Sequence, residues 1–276
     1  MCEYCVQHGA GERWYLNARN LSKELASNEN VSDFNERYFS REVAPGPDEF
    51  SDRLTRITRP VLPGEKQKVE EMYRRFLHHQ VITTNEVLEI LKLSSIETEG
   101  HDRSVVRLPC ICRYAALGKE KTLHCFGIAF TDEYTKRFPN YLGGKHEYMT
   151  PDEAAEIMTK MAEDESVVHA VSALGVPYVG MICNCEMNVC RPYLHRLRLG
   201  ISEPFHKGHF VTVVNEQKCS GCGICEDSCS FGAIKVDPES SVAIVNHDDC
   251  FGCGVCSKRC PEHALESEKQ PRVSNF

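Results

Sequence analysis

The chain has little of what marks several common classes of protein. It carries a single tryptophan, and aromatic residues make up 8% of it. No apolar run approaches the roughly eighteen residues that cross a bilayer, so no integral membrane segment is expected. The opening Met1-Cys-Glu-Tyr-Cys-Val-Gln-His has neither a basic n-region nor an apolar h-region. A reducing cytoplasm is therefore the expected location. No G-x-G-x-x-G stands between a strand and a helix, which excludes the usual dinucleotide-binding turn. The haem-attachment pattern C-x-x-C-H is absent too. Positive charge is also short: 32 Lys and Arg against 40 Asp and Glu give a net charge of −8. That balance argues against nucleic acid, whose binding rests on basic patches.

Cysteine, by contrast, is abundant, with sixteen residues. A disulfide-rich secreted protein would explain the number, but the spacing opposes it. Cys219-x2-Cys222-x2-Cys225-x3-Cys229 is followed by Cys250-x2-Cys253-x2-Cys256-x3-Cys260-Pro261. One spacing repeated at a constant offset reads as metal ligation in a reducing compartment. A tight C-x2-C-x2-C loop presents three thiolates to one iron–sulfur cube, and the fourth cysteine is carried to the other cube. Thiolate is soft and anionic, which suits iron in sulfide-bridged clusters. Zinc in two four-cysteine sites is the alternative, although zinc ribbons use paired C-x2-C knuckles rather than triplets. Val211–Val214 and Val242–Val245 precede the two motifs; Ala233–Val236 and Ala264-Leu265 follow them. Each half reads strand, cluster loop, short helix, strand.

Residues 211–267 resemble the bacterial-type ferredoxin with two [4Fe–4S] clusters. The resemblance implies Cys219, Cys222, Cys225 and Cys260 for cluster I. For cluster II it implies Cys250, Cys253, Cys256 and Cys229. Ser230 replaces the proline that usually follows the fourth cysteine, whereas Pro261 keeps it. The N–H that serine retains is expected to point at sulfur and to separate the two potentials.

Six more cysteines lie in the middle of the chain: Cys110, Cys112, Cys125, Cys183, Cys185 and Cys190. Cys110-x-Cys112 and Cys183-x-Cys185 each end a predicted strand. Residues i and i+2 of a strand share a face, so each pair offers two thiolates to one point. A further metal site is expected from them, joined by Cys125 or Cys190. Arg113 and Arg191 are candidates to offset its charge, and His124 is the histidine nearest by sequence. Cys2 and Cys5 are either further ligands or an unligated terminus, and with His8 they could form a zinc knuckle. Pro109-Cys-Ile-Cys-Arg113, Cys125-Phe-Gly127 and Ile182-Cys-Asn-Cys185 are similar to motifs of a family of multi-domain ferredoxins, over residues 104–267. This resemblance implies an iron–sulfur electron-transfer protein. From the cysteines themselves one further [4Fe–4S] cluster is expected, with cysteines enough for a second and zinc as the alternative.

The expected fold is α+β. It comprises an N-terminal C-x2-C arm (1–64), a helical pair (65–100), a Cys-rich α/β domain (101–210) and a ferredoxin domain of (βαβ)2 type (211–276). Thr83-Thr-Asn-Glu86 and Thr150-Pro-Asp-Glu153 are strong helix starts. Two bound cubes would bring the charge to roughly −12, which favours a redox partner with a basic docking patch. The expected function is electron relay to or from a larger oxidoreductase in an anaerobe. The alternatives are an enzyme with an open-site cluster and an iron–sulfur redox sensor.

Overall fold

The computed structural model describes residues 3–26, 28–33, 63–97, 105–110, 112–113, 122–128, 145–165, 167–201 and 205–270. Cys2, and the aromatic residues Phe34, Tyr38, Phe39 and Phe50 of the expected arm, lie outside them. Among the described residues, no helix is long and apolar enough to cross a membrane.

The helices are α1 (Glu3–His8), α2 (Lys23–Ala26), α3 (Pro63–Phe76), α4 (Thr84–Glu97), α5 (Pro151–Asp164), α6 (Arg191–Leu199), α7 (Ile224–Asp227) and α8 (Val255–Arg259). A six-stranded sheet is built from β1 (Leu77–Val81), β2 (Val105–Pro109), β3 (Leu123–Ile128), β4 (Glu147–Met149), β5 (Val168–Leu174) and β6 (Val179–Cys185). Its order is β1-β5-β6-β3-β2-β4, and the named pairings are antiparallel.

That order hides a duplication. β1–α4–β2–β3 and β4–α5–β5–β6 are the same strand–helix–hairpin unit. Each helix opens on a threonine and a glutamate three residues on, which cap one another. Thr83 N donates to Glu86 Oε2 at 2.8 Å and Glu86 N to Thr83 Oγ1 at 3.3 Å. Thr150 and Glu153 do the same at 2.8 and 3.1 Å. The first strands are exchanged: β1 pairs with the other unit's β5, and β4 with β2. The hairpins meet at β3 and β6, where Phe126 faces Ile182. Exchanging the two units leaves the strand order unchanged.

The helical pair expected at 65–100 is therefore not a separate unit. Between its helices lies β1, an edge strand of the sheet. Leu77, which continues the apolar period of α3 in the sequence, instead begins that strand.

Helices α4 and α5 cover one face. Ile82, Val87, Ile90, Leu91, Met158, Phe126 and Ile182 pack there with Trp14, Tyr15 and Leu21 of the N-terminal segment. Trp14 Nε1 donates to Gln80 Oε1 at 2.9 Å. Tyr15 OH donates to the buried Glu86 at 2.6 Å, and Arg13 pairs with the same carboxylate at 3.1 Å. Glu86 thus caps α4 and anchors the N-terminal segment at once. Glu86→Ala would leave the buried Tyr15 hydroxyl without its acceptor and Arg13 paired with Glu89 at 3.5 Å, at a cost of about 2 kcal/mol. Chemical denaturation should show that loss, and limited proteolysis should cut first within residues 3–26.

The C-terminal module has two ribbons. β7 (Phe210–Val214) pairs with β10 (Leu265–Lys269), and β8 (Ile234–Val236) with β9 (Ala243–Val245). Residues 205–209 tie it to the sheet edge by backbone bonds. Val81 N donates to His206 O at 3.0 Å, His206 N to His79 O at 2.8 Å, and Gly208 N to Phe251 O at 2.9 Å.

Candidate metal centres

In the C-terminal module, glycine geometry sets the cysteine loops. Gly252 has φ +69°, and a Cβ there would sit 2.1 Å from Phe210 O. Only glycine fits such a position. Gly223 and Gly254 hold left-handed conformations at the starts of α7 and α8. Cys219, Cys222, Cys225 and Cys260 line one cavity, with Ala243, Ala264 and Leu265 in its wall. Cys250, Cys256 and Cys229 all act on Cys253, whose thiol burial pushes up to about 12. Burial likewise pushes Cys225 up to about 11. Thiols buried so close together resist ionisation, and a metal between them removes that penalty. The residues present fit iron–sulfur ligation.

Backbone and side-chain donors reach several of these sulfurs. Ala233 N lies 3.3 Å from Cys229 Sγ, and Ala264 N lies 3.3 Å from Cys260 Sγ. The two fourth cysteines are thus matched. The amide that reaches Cys229 Sγ is that of Ala233 rather than Ser230. The buried Thr212 hydroxyl is 3.4 Å from Cys256 Sγ.

The six middle cysteines come together at one end of the sheet, on the face opposite α4 and α5. Cys125 faces Cys183 across β3 and β6. The thiols form a continuous chain of hydrogen bonds. Cys110 bonds to Cys112 and Cys125, Cys125 to Cys183, Cys183 to Cys185, and Cys185 to Cys190. Their acidities alternate along it. Bonds from Cys112 and Cys125 hold Cys110 well below the ordinary thiol range. Bonds from Cys125 and Cys185 do the same for Cys183. Burial raises Cys190, but Cys185 and His79 outweigh it and bring the thiol to about 6. Cys112, Cys125 and Cys185, the donors, are pushed well above the ordinary range. Six thiols gathered in one buried group repel one another when ionised and resist ionisation when buried, and a cation between them removes both penalties.

The remaining candidates have different surroundings. Arg113 forms an ion pair with Glu186, so its charge is already matched. Arg191 is buried beside the thiols, and its N–H lies 3.5 Å from Cys112 Sγ. His124 is next to Cys125 on β3 and so faces the other way; its Nε2 is 3.6 Å from Glu165. Cys5 is fully buried on the far side of β1, with Sγ 3.2 Å from His209 Nε2 and 3.8 Å from Gln80 Oε1. The ring of His8 packs on Tyr4 at 4.4 Å. Sequence reasoning missed His79 of β1. Its Nε2 is 3.7 Å from Cys185 Sγ, and it forms one close group with Cys183 and Cys185.

An aromatic wall stands between the two sets of thiols. Cys190 and Cys185 pack in one cluster with Phe205, Tyr193, Phe231, Phe251 and Cys253. Phe231 stacks on Phe251 at 4.2 Å. Tyr193 sits close enough to both Cys229 and Cys190 for either thiolate to raise its pKa, after burial has done so.

Comparison with known proteins agrees with the C-terminal geometry. Residues 218–264 match the family described as 4Fe-4S dicluster domain. A stretch of 33 residues is 48% identical to an uncharacterised ferredoxin of Methanocaldococcus jannaschii. It covers 12% of this chain and 53% of that ferredoxin, so the chain spans about half the length of the curated relative it matches.

Proposed function

Starting from a C-terminal 4Fe–4S dicluster domain that carries electrons, we propose that the whole chain is a relay of at least three metal centres. The dicluster domain exchanges electrons with a [4Fe–4S] centre held by the six middle cysteines. The relay serves a larger oxidoreductase at low potential, in an anaerobic cytoplasm. The observation that carries this reading is the aromatic wall, with Cys190 and Cys185 on one side of it and Cys229 and Cys253 on the other. Bound clusters would each take up or release one electron.

The chain's own residues set direction and access. Cys222 is exposed, and Glu226, Asp227 and Glu262 around it are exposed too. This acidic rim, on a chain of net charge −8, supports docking of a basic patch at the cluster I end. Cluster II then lies inward, against Tyr193 and Phe251. Arg196 and Lys207 sit over the Phe251 ring at 5.4 and 5.6 Å and offset the negative charge of the sulfur sites.

Anaerobic reductive titration is expected to consume about three electrons per chain. Uptake of two would leave the dicluster domain as the whole redox unit. Thr212→Val should leave iron content unchanged and lower one midpoint potential by about 40 mV. That shift is the one-electron equivalent of a hydrogen bond of about 1 kcal/mol to the thiolate of Cys256.

A further inference from the structure

The middle site contains a donor that is not a cysteine. His79 lies in β1 opposite Ser172 of β5 and is 3% exposed. Val81, Ala170, Cys183 and Cys125 form one cross-strand row. Residues two apart on a strand share a face, so His79 points to the face that carries the thiols. Its Nε2 is 3.7 Å from Cys185 Sγ. The ligand atoms of His79, Cys183 and Cys185 all lie within 4.8 Å of one another. Cys183 and Cys185 thus both stand close to this imidazole.

The other nitrogen is fixed. His79 Nδ1 is 2.6 Å from Ser172 Oγ. With Nδ1–H donating to that hydroxyl, Nε2 keeps its lone pair toward the thiols. Metal-binding histidines are oriented in this way by an outer hydrogen bond. The backbone is held as well: β1 is paired along its length with β5, and His79 O accepts from His206 N at 2.8 Å. The ring packs against Phe205 at 5.4 Å. A histidine this constrained loses little freedom on binding a metal.

We propose that His79 Nε2 is a ligand of the metal in the middle site, beside Cys183 and Cys185. The proposal rests on the reading that a metal is bound there. A neutral imidazole in place of one thiolate makes the centre less negative, and such replacement raises the potential of iron–sulfur centres.

The test uses full-length protein purified anaerobically, with and without 15N-labelled histidine. Pulsed EPR of the reduced protein is expected to show a strong nitrogen coupling that changes with the label. The coupling should vanish in His79→Cys, which should keep its iron and titrate at a lower potential in one couple. His79→Ala should lose that coupling together with part of the iron. If the protein binds about twelve irons but shows no histidine coupling, and His79→Cys titrates like the parent, the ligand proposal fails while the third cluster stands. If it binds about eight irons and no zinc, both fail. Should the middle site hold zinc, X-ray absorption at the zinc edge decides: a nitrogen scatterer lost in His79→Cys supports the proposal, and a sulfur-only shell overturns it.

Discussion

Removing iron with a chelator is expected to unfold residues 210–270 and to leave the six-stranded sheet folded. The C-terminal module has little else to hold it. β8 and β9 have three residues each, and α7 and α8 have four and five. Helices so short are not stable alone, and two-stranded ribbons are marginal at best. Much of its buried core is cysteine and alanine: Cys225, Cys256 and Ala243 are three of five fully buried members of one cluster, alongside Ile234 and Leu265. Structural metals in small domains contribute about 10 kcal/mol or more of folding free energy. The sheet has a different source of stability. Trp14, Tyr15, Phe126, Ile128 and Met158 are fully buried on its helical face, away from the thiols. Hydrogen exchange should show protection lost across Phe210–Val214 and Leu265–Lys269 and kept across Val168–Leu174. Equal loss in both would mean that the sheet also depends on metal.

The double substitution Cys125→Ser and Cys183→Ser is expected to remove about a third of the bound iron. These two residues are the central links of the thiol chain and face each other across β3 and β6. Losing both leaves Cys110 and Cys112 cut off from Cys185 and Cys190. Neither residue packs in the clusters of buried side chains that hold the C-terminal module, so the EPR signals of the dicluster domain should persist. Iron analysis and EPR on the same sample check this. An unchanged iron content would show that the six thiols do not hold an iron centre.

The sequence made some of this legible and hid the rest, for physical reasons. The cysteine loops and the capped starts of α4 and α5 are local. Ligand spacing, glycine at left-handed positions and a threonine–glutamate box act within a few residues, so they can be read in order. β1 could not be read in this way. Leu77-His-His-Gln-Val81 continues the apolar spacing of α3, and what makes it a strand is its pairing with Val168–Leu174, far along the chain. His79 was hidden with it. A lone histidine beside another histidine carries no ligand spacing, and its thiol neighbours arrive only through β5 and β6. The duplicated unit left one faint trace, Thr-x-x-Glu-x-x-Glu-Ile, at Thr83–Ile90 and again at Thr150–Ile157. His124 misled because closeness in sequence on a strand means opposite faces.

Iron, acid-labile sulfide and zinc, counted together on anaerobically purified full-length protein, test the three-centre relay most directly. About twelve irons and twelve sulfides per chain are expected, with no stoichiometric zinc. About eight of each, with Cys110, Cys112, Cys125, Cys183, Cys185 and Cys190 all open to alkylation in the native protein, would contradict it.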